Sequence, residues 1–372
     1  MPRLYLSSLM LSYFRSHRKS RIELDARPVA IFGLNGAGKT NILEAVSMFS
    51  PGRGMRRAAA ADMVRRPEAL GWKLAGTLHS QHQVHEIETW SEEGAARQVR
   101  IDDKSAAQVA LGRIARVLWL VPSMDRLWIE GADGRRRFLD RVALSFEPTH
   151  AEASLTYEKA MRERNRLLKD QVSDTHWYKA LERQMADAAE AIIKNRADAV
   201  AKLTAAQDGA ETAFPVADLE LGHVEGDLPV LANELAEVWS DGRRRDIAAG
   251  RTLVGPHRSD LGAVYSDKGV PARDCSTGEQ KALLVSLILA NARALNEEIG
   301  MPPLLLLDEV AAHLDVNRRA ALYDEICALN AQAWMTGTGA ELFETLGDRA
   351  QYLEVRDEDG ESICSSVEGQ TE

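Results

Sequence analysis

The run Gly33-Leu34-Asn35-Gly36-Ala37-Gly38-Lys39-Thr40 constrains the fold of this chain more than any other segment. It follows the apolar stretch Pro28–Phe32. It leads into Asn41–Phe49, where Ile42, Leu43, Ala45, Val46 and Phe49 recur at helical spacing. A buried strand that turns through glycines into a helix is the setting of a phosphate-binding loop. Glycines let backbone N–H groups turn inward around phosphates, and the helix aims its positive N-terminus at the anion. In that pattern Gly33–Thr40 bind nucleotide, Lys39 reaches the β- and γ-phosphates, and the Thr40 hydroxyl binds Mg²⁺. The expected fold class is α/β.

A second segment matches the first in chemistry. Leu304-Leu305-Leu306-Leu307 reads as a parallel strand buried on both faces, and Asp308-Glu309 follow it at its C-terminal end. Open α/β sheets place ligands at that end. Asp308 is expected to hold Mg²⁺, and Glu309 to polarise the attacking water. A third segment, Ser276-Thr277-Gly278-Glu279-Gln280-Lys281, stands 32 residues before Asp308 and opens a long apolar helix. A Ser hydroxyl, a Gly amide and a helix N-terminus make an anion site. The same residues also make a helix cap. The order of all three segments favours the signature of an ABC-type ATPase, with Ala312-His313-Leu314-Asp315 as the D-loop.

Length and composition bound the rest. At 372 residues the chain has room for two domains, or for one large domain with an insertion. Apolar residues at 45% and charged residues at 27% are the balance of a globular protein with a sizeable core. Cys275, Cys327 and Cys364 are too scattered for a disulfide framework or a metal site, which fits a reducing cytoplasm. No apolar run reaches the roughly 18 residues of a membrane span, so no membrane partner is expected. From about 135 to 210 the sequence is rich in Ala, Glu, Arg and Leu and nearly free of Gly and Pro, a helical block. Sheet-like patterning returns after about 245. The expected layout is an ATPase head over 1–122, a mainly helical inserted lobe over 123–245, the rest of the head over 246–355 and a disordered acidic tail over 356–372. Pro148 and Gly222–Pro229 are candidate boundaries.

With these residues together, the chain resembles the RecF family of DNA repair proteins, ABC-type ATPases of the SMC-like branch. Finer matches are Leu9–Phe14 with Arg15, Thr40–Ala45, Gly52–Arg56, Arg136–Asp140 and Thr252–Asp260. The resemblance covers residues 3–355. It implies an ATPase head with a short helical arm, ATP and Mg²⁺ as cofactors, and Asn41 and Arg15 in the nucleotide site beside the loop. It implies that Ser276–Gln280 and Asp315 act in trans across an ATP-dependent homodimer on double-stranded or gapped DNA. It also implies slow DNA-stimulated hydrolysis, RecO and RecR as partners, and RecA loading at gaps in the DNA-damage (SOS) response. Two departures stand out. Gly255-Pro256-His257-Arg258 is followed by Ser259-Asp260 where the family usually has two acids, and Thr336 and Thr338 lie where many ABC ATPases carry a switch His. Asp125 is a positional guess for the Q-loop residue.

The net charge of −10 does not exclude DNA, because it is unevenly spread. Residues 353–372 carry −6 and residues 1–57 carry +7. The candidate contacts are Arg53, Arg56 and Arg57, and Arg135, Arg136 and Arg137, with Arg65/Arg66 and Arg243–Arg245 as further clusters. Aromatics are sparse around them, which favours duplex backbone contact over base stacking. Three other readings compete. A transporter ATPase subunit would need a membrane partner. A chromosome organiser would need a longer coiled coil with sustained heptads. An ATP-dependent nuclease of the overcoming-lysogenization-defect type would need a further acidic metal cluster.

Overall fold

A computed structural model describes residues 3–66, 68–80, 83–92, 94–223 and 226–367. In chain order the elements are β1 (Tyr5–Phe14), β2 (His17–Glu23), β3 (Val29–Phe32), α1 (Lys39–Ser47), β4 (Trp72–His79), β5 (Val84–Ser91), β6 (Gln98–Ile101), β7 (Lys104–Ser105), α2 (Leu111–Ile114) and β8 (Val117–Leu120). Then come α3 (Ala132–Phe146), α4 (His150–Lys169), α5 (Thr175–Gln207), β9 (Ala217–His223), α6 (Ala232–Asp241), α7 (Arg243–Ala249), β10 (Ser259–Tyr265) and β11 (Val270–Pro271). The last are α8 (Thr277–Ile299), β12 (Leu304–Leu307), α9 (Val316–Ala328), β13 (Ala333–Gly337), β14 (Gln351–Glu358) and β15 (Glu361–Val367).

The chain forms two compact units, the first comprising residues 1–125, 206–216 and 276–372. It holds two sheets. One has the order β2-β1-β4-β5-β6-β7 and is antiparallel. The other has the order β15-β14-β3-β13-β12-β8, parallel from β14 to β8, with β15 antiparallel at one edge. The four leucines of β12 are all buried, as a strand covered on both faces requires. One core joins the two sheets through α1: Leu6, Leu9 and Leu11 of β1, Ile42, Leu43 and Val46 of α1, and Leu304, Leu306 and Trp334 belong to it. The helix α8 is buried almost all round from Gln280 to Leu295, and Gly300 ends it in the left-handed region. This is the α/β head expected from the motifs.

The second unit comprises residues 126–205 and 217–275. It holds α3 to α7 and the antiparallel sheet β11-β10-β9. Tyr157, Met185, Ile192, Leu235 and Trp239 lie in its core. Arg164, fully buried beside them, is held by Glu182 (3.1 Å), Asp246 (2.6 Å), Thr252 (2.8 Å) and the Trp239 carbonyl (3.1 Å), so its charge is matched in place.

The layout differs from the sequence reading at four points. Pro148 is no boundary, because it sits in the short turn between α3 and α4, which pack together in one unit. Of Gly222–Pro229, Val224 and Glu225 lie outside the described residues, and the flanking segments belong to the same unit. The sheet-like segment after 245 belongs not to the head but to this second unit as far as Cys275, because β10 pairs with β9 along its whole length. The fourth point is the tail. Residues 356–367 form the end of β14, a turn at Asp359-Gly360 and β15, with β14 on β3 and β15 on β14. Leu353 and Val355 point into the core while Glu354, Arg356, Asp357 and Glu358 take the wetter positions, so strand alternation hides an apolar face inside an acid-rich segment. Residues 368–372 lie outside the described residues. No described helix is long and apolar enough to cross a membrane, and no described group of His, Cys, Asp and Glu has the arrangement of a metal cluster.

Candidate nucleotide site

Parallel strands end at a common edge, so the order β3-β13-β12-β8 dictates which loops meet there. The glycine loop follows β3, Asp308 and Glu309 follow β12, and Thr336 lies near the end of β13, the strand between them. The side chains connect accordingly. Thr40 Oγ1 donates to Asp308 Oδ1 at 2.9 Å, and Thr336 Oγ1 donates to the same oxygen at 2.8 Å. The Glu309 backbone N–H donates in turn to Thr336 Oγ1 at 2.9 Å, and the Asp308 N–H to the Leu120 carbonyl of β8 at 2.9 Å. Asp308 is buried and Glu309 half-buried. Glu309 has a φ of 54°, a conformation that costs a β-carbon-bearing residue about 1–3 kcal/mol and collects at functional sites.

The loop itself is shaped by its neighbours. Gly33 has a φ of 148°, and a β-carbon there would stand 2.1 Å from the Val355 carbonyl oxygen. Gly38 has a φ of 105°, and its β-carbon would stand 2.2 Å from Ser362 Oγ. Gly36 has open space, so only its φ of 85° asks for glycine. Leu34 and Asn35 are exposed at the tip, and Ala37 is buried. Lys39 is buried, with Nζ donating to the carbonyls of Gly33 (2.7 Å) and Leu34 (2.9 Å). Burial holds its ammonium below the usual lysine range, while Glu309 and Asp308 pull the other way. The Thr40 hydroxyl and the Asp308 carboxylate are hard oxygen donors side by side, the ligand chemistry that Mg²⁺ takes.

Asn41 and Arg15 stand beside the loop. Asn41 Nδ2 donates to Ser16 Oγ at 2.7 Å, and its Oδ1 accepts from Arg56 at 2.9 Å. Arg15 is turned to the fully buried Glu44, with Nε–Oε2 of 2.8 Å and Nη2–Oε1 of 2.6 Å, and to the Asp62 carbonyl at 2.6 Å. Only the fold reveals this pair, because 28 intervening residues separate the partners. Thr336, named in the sequence only as a substitute for a switch His, turns out to link both carboxylate-bearing residues. Its signal was the Thr itself, at the end of an apolar strand.

Ser276 caps α8. Its Oγ accepts from the Glu279 N–H at 3.4 Å, and its own N–H donates to Glu279 Oε2 at 2.8 Å. Ser276, Thr277 and Gly278 are exposed and Gln280 is buried. The cap and the exposed helix end are thus one object. Asp315 caps α9 through the Arg318 N–H at 2.9 Å, which with the nearby Arg318 charge holds its carboxyl below the usual range. Lys281 Nζ lies 3.4 Å from Asp125 Oδ2, which ties the proposed Q-loop position to the end of the signature.

The arginine clusters divide. Arg53, Arg56 and Arg57 are exposed. Arg135 is committed to Asp260 (2.7 and 2.9 Å) and to the carbonyls of Leu127 and Glu130, Arg136 to the Ser259 carbonyl (2.9 Å), and Arg137 to Asp133. Arg135 and Arg136 thus serve the second unit's packing, a use that sequence spacing does not reveal, while Arg137 is exposed and pairs with Asp133 one turn away on its own helix. Arg65 is buried against Glu68, and Arg243 pairs with Glu182. Ser259, at the family's acid position, is buried and bonds His223 at 3.0 Å across the strand pair.

The family model of the RecF/RecN/SMC N terminal domain matches residues 5–361. The chain is 46% identical over 367 residues to the DNA replication and repair protein RecF of Rhizobium rhizogenes, covering 95% of this chain and 98% of that one. It is 46% identical over 364 residues to RecF of Brucella suis, covering 95% of each. Among solved structures, the recombination mediator protein RecF with ATP, of the RecFOR pathway, superposes with a TM-score of 0.82 at 23% identity, over 99% of this chain and 100% of that one. An Smc head domain from Pyrococcus furiosus gives 0.58 at 15% identity, over 98% and 96%, a likeness of fold.

Proposed function

This chain belongs to the RecF family of DNA replication and repair proteins, and on that premise we propose that it is an ATP-gated clamp on duplex or gapped DNA. The reading rests on one observation. The hydrogen-bonded set Thr40, Asp308, Thr336 and Glu309 joins the phosphate loop to paired carboxylates across three parallel strands. Such a set suits hydrolysis of a nucleoside triphosphate. Lys39, now held by carbonyls, faces the β- and γ-phosphates. Thr40 and Asp308 would hold Mg²⁺, whose chemistry there is neutralisation of charge on the β- and γ-oxygens. Water forms a bond to the γ-phosphorus as the bond to the bridging oxygen of ADP breaks, and Glu309 takes the proton.

The exposed N-terminus of α8 supports the trans role of Ser276, Thr277, Gly278, Glu279 and Gln280. Its exposed backbone N–H groups suit an anion, with no β-carbon at Gly278, and the Ser276 hydroxyl, which here donates to Glu279 Oε2 at 2.8 Å, would turn to that anion. On this reading two copies close on each other's γ-phosphates, with Asp315 beside the junction, and Arg53, Arg56 and Arg57 meet the DNA backbone. RecR and RecO are the partners, RecA loading is the downstream event, and the cytoplasm is the location. The test is steady-state hydrolysis with no DNA, single strands, duplex and gapped duplex. Slow turnover raised by duplex or gapped DNA supports the clamp. Turnover indifferent to all four would overturn it.

A further inference from the structure

The glycine loop is held from outside by residues that no nucleotide-binding pattern contains. Ser362, in the C-terminal strand β15, is buried and lies 2.6 Å from the Ala37 carbonyl oxygen and 2.6 Å from Ser16 Oγ. A carbonyl has no proton to give, so the single hydroxyl proton of Ser362 goes to Ala37, and the proton between the two hydroxyls comes from Ser16. Asn41 Nδ2 completes the chain by donating to Ser16 at 2.7 Å. On the next peptide His17 Nε2 donates to the Gly38 carbonyl at 3.3 Å, beside the Asn41 N–H at 3.0 Å on the same oxygen, while Ser20 donates to His17 Nδ1 at 2.9 Å and selects that tautomer. A β-carbon on Gly38 would stand 2.2 Å from Ser362 Oγ and 2.7 Å from Ser16 Oγ, so only glycine fits between them as they stand.

A trans peptide points its C=O and the following N–H in opposite directions. Drawing the carbonyls of Ala37 and Gly38 toward Ser362 and His17 therefore turns the N–H groups of Gly38 and Lys39 to the other side, the side on which the loop receives phosphate. We propose that Ser362 and His17 are positioning residues for nucleotide binding, and that the C-terminal hairpin β14–β15 is part of the phosphate site. This deepens the nucleotide reading above and rests on it. The ligand class is the polyphosphate, not the base.

The test uses the full chain with Ser362→Ala, and separately His17→Leu and His17→Gln. Steady-state hydrolysis with Mg²⁺ gives KM and kcat for ATP, and titration with inorganic tripolyphosphate reads the phosphate site alone. For Ser362→Ala, KM and the tripolyphosphate Kd are expected to rise about tenfold, the worth of a hydrogen bond to a charged group, with kcat changed less than about twofold because Lys39, Asp308 and Glu309 stay in place. A merely structural role would lower the active fraction, and so kcat, at unchanged KM. His17→Gln keeps a donor and should bind nearer to wild type than His17→Leu. Lys39→Ala is run beside them. If it loses binding while Ser362→Ala and His17→Leu bind like wild type, the positioning role is overturned and the nucleotide reading stands. If Lys39→Ala binds like wild type, both fall.

Discussion

Arg15→Ala isolates the charge pair that anchors α1 under the loop. The substitution removes two hydrogen bonds to Glu44 and one to the Asp62 carbonyl. Glu44 is fully buried, so its carboxylate cannot recover those bonds from water. Removing one partner of a buried pair costs about 3–5 kcal/mol. Arg56, 3.4 Å from Glu44 Oε2, stays behind and keeps some of the compensation, which places the expected loss near about 3 kcal/mol. For a cooperative unit of this size that is a fall of about 6–12 °C in the unfolding midpoint. Urea unfolding followed by circular dichroism measures it. The double variant Arg15→Ala/Glu44→Gln carries no stranded charge and should recover a substantial part of the loss. A single variant within about 0.5 kcal/mol of wild type, the scale of an ordinary surface change, would refute the reasoning. So would a double variant destabilised by the full sum of its singles. ATP affinity measured on the folded fraction decides whether Arg15 also serves the nucleotide, as the family resemblance implies.

Four further outcomes are expected. Lys39→Ala should lose ATP binding, read by titration with a fluorescent ATP analogue, and near-normal hydrolysis would remove Lys39 from the site. Glu309→Gln should bind ATP with Mg²⁺ but turn it over about 100-fold or more slowly, the range for loss of a general base, whereas Asp308→Asn should weaken Mg²⁺-dependent binding itself. Ser276→Arg should spare ATP binding by the monomer and abolish ATP-dependent dimerisation in sedimentation. Mixing it with Lys39→Ala protein should restore part of the dimer, because one composite site then carries both lesions and the other neither. His257 is pushed down to about 4, first by burial and then by Arg258, Arg136 and Arg196, against a raising contribution from the Thr252 carbonyl. Unfolding returns it to its ordinary value near 6.5, so the unfolded chain takes up a proton between about pH 6.5 and 4 and stability falls as the pH drops through that window. His257→Gln should flatten that part of the stability profile by up to about one proton, and an unchanged slope in urea titrations would contradict the burial argument.

The head was legible in the sequence where its chemistry is local. The loop Gly33–Thr40, the strand Leu304–Leu307 and the start of α8 each carry their meaning within about ten residues, through glycine conformation, a run of leucines and a helix cap. The division of the chain was less legible. The segment 246–275 has sheet-like patterning whether its strand joins the parallel sheet or pairs with β9, and only the partner strand distinguishes the two. The acidic tail misled for a related reason. Composition sums charge along the chain, whereas β14 sends alternate side chains to opposite faces and buries Leu353 and Val355 against β3.

The sequence by itself determined the kind of chemistry: a phosphate loop, a pair of carboxylates and an exposed helix cap, in the order of an ABC-type head. Their residue types and short spacings are enough, because backbone freedom at glycine and the charge of Lys and Asp do not depend on distant partners. Tertiary structure alone decided what surrounds them. It put Thr336 between Asp308 and Glu309 because β13 lies between β3 and β12. It spent Arg15 on Glu44 and Arg135 on Asp260, and it brought Ser362 to the Ala37 carbonyl from 325 residues away. Those are contacts between segments remote in the chain. Strand order and packing choose such partners, and no local pattern encodes them.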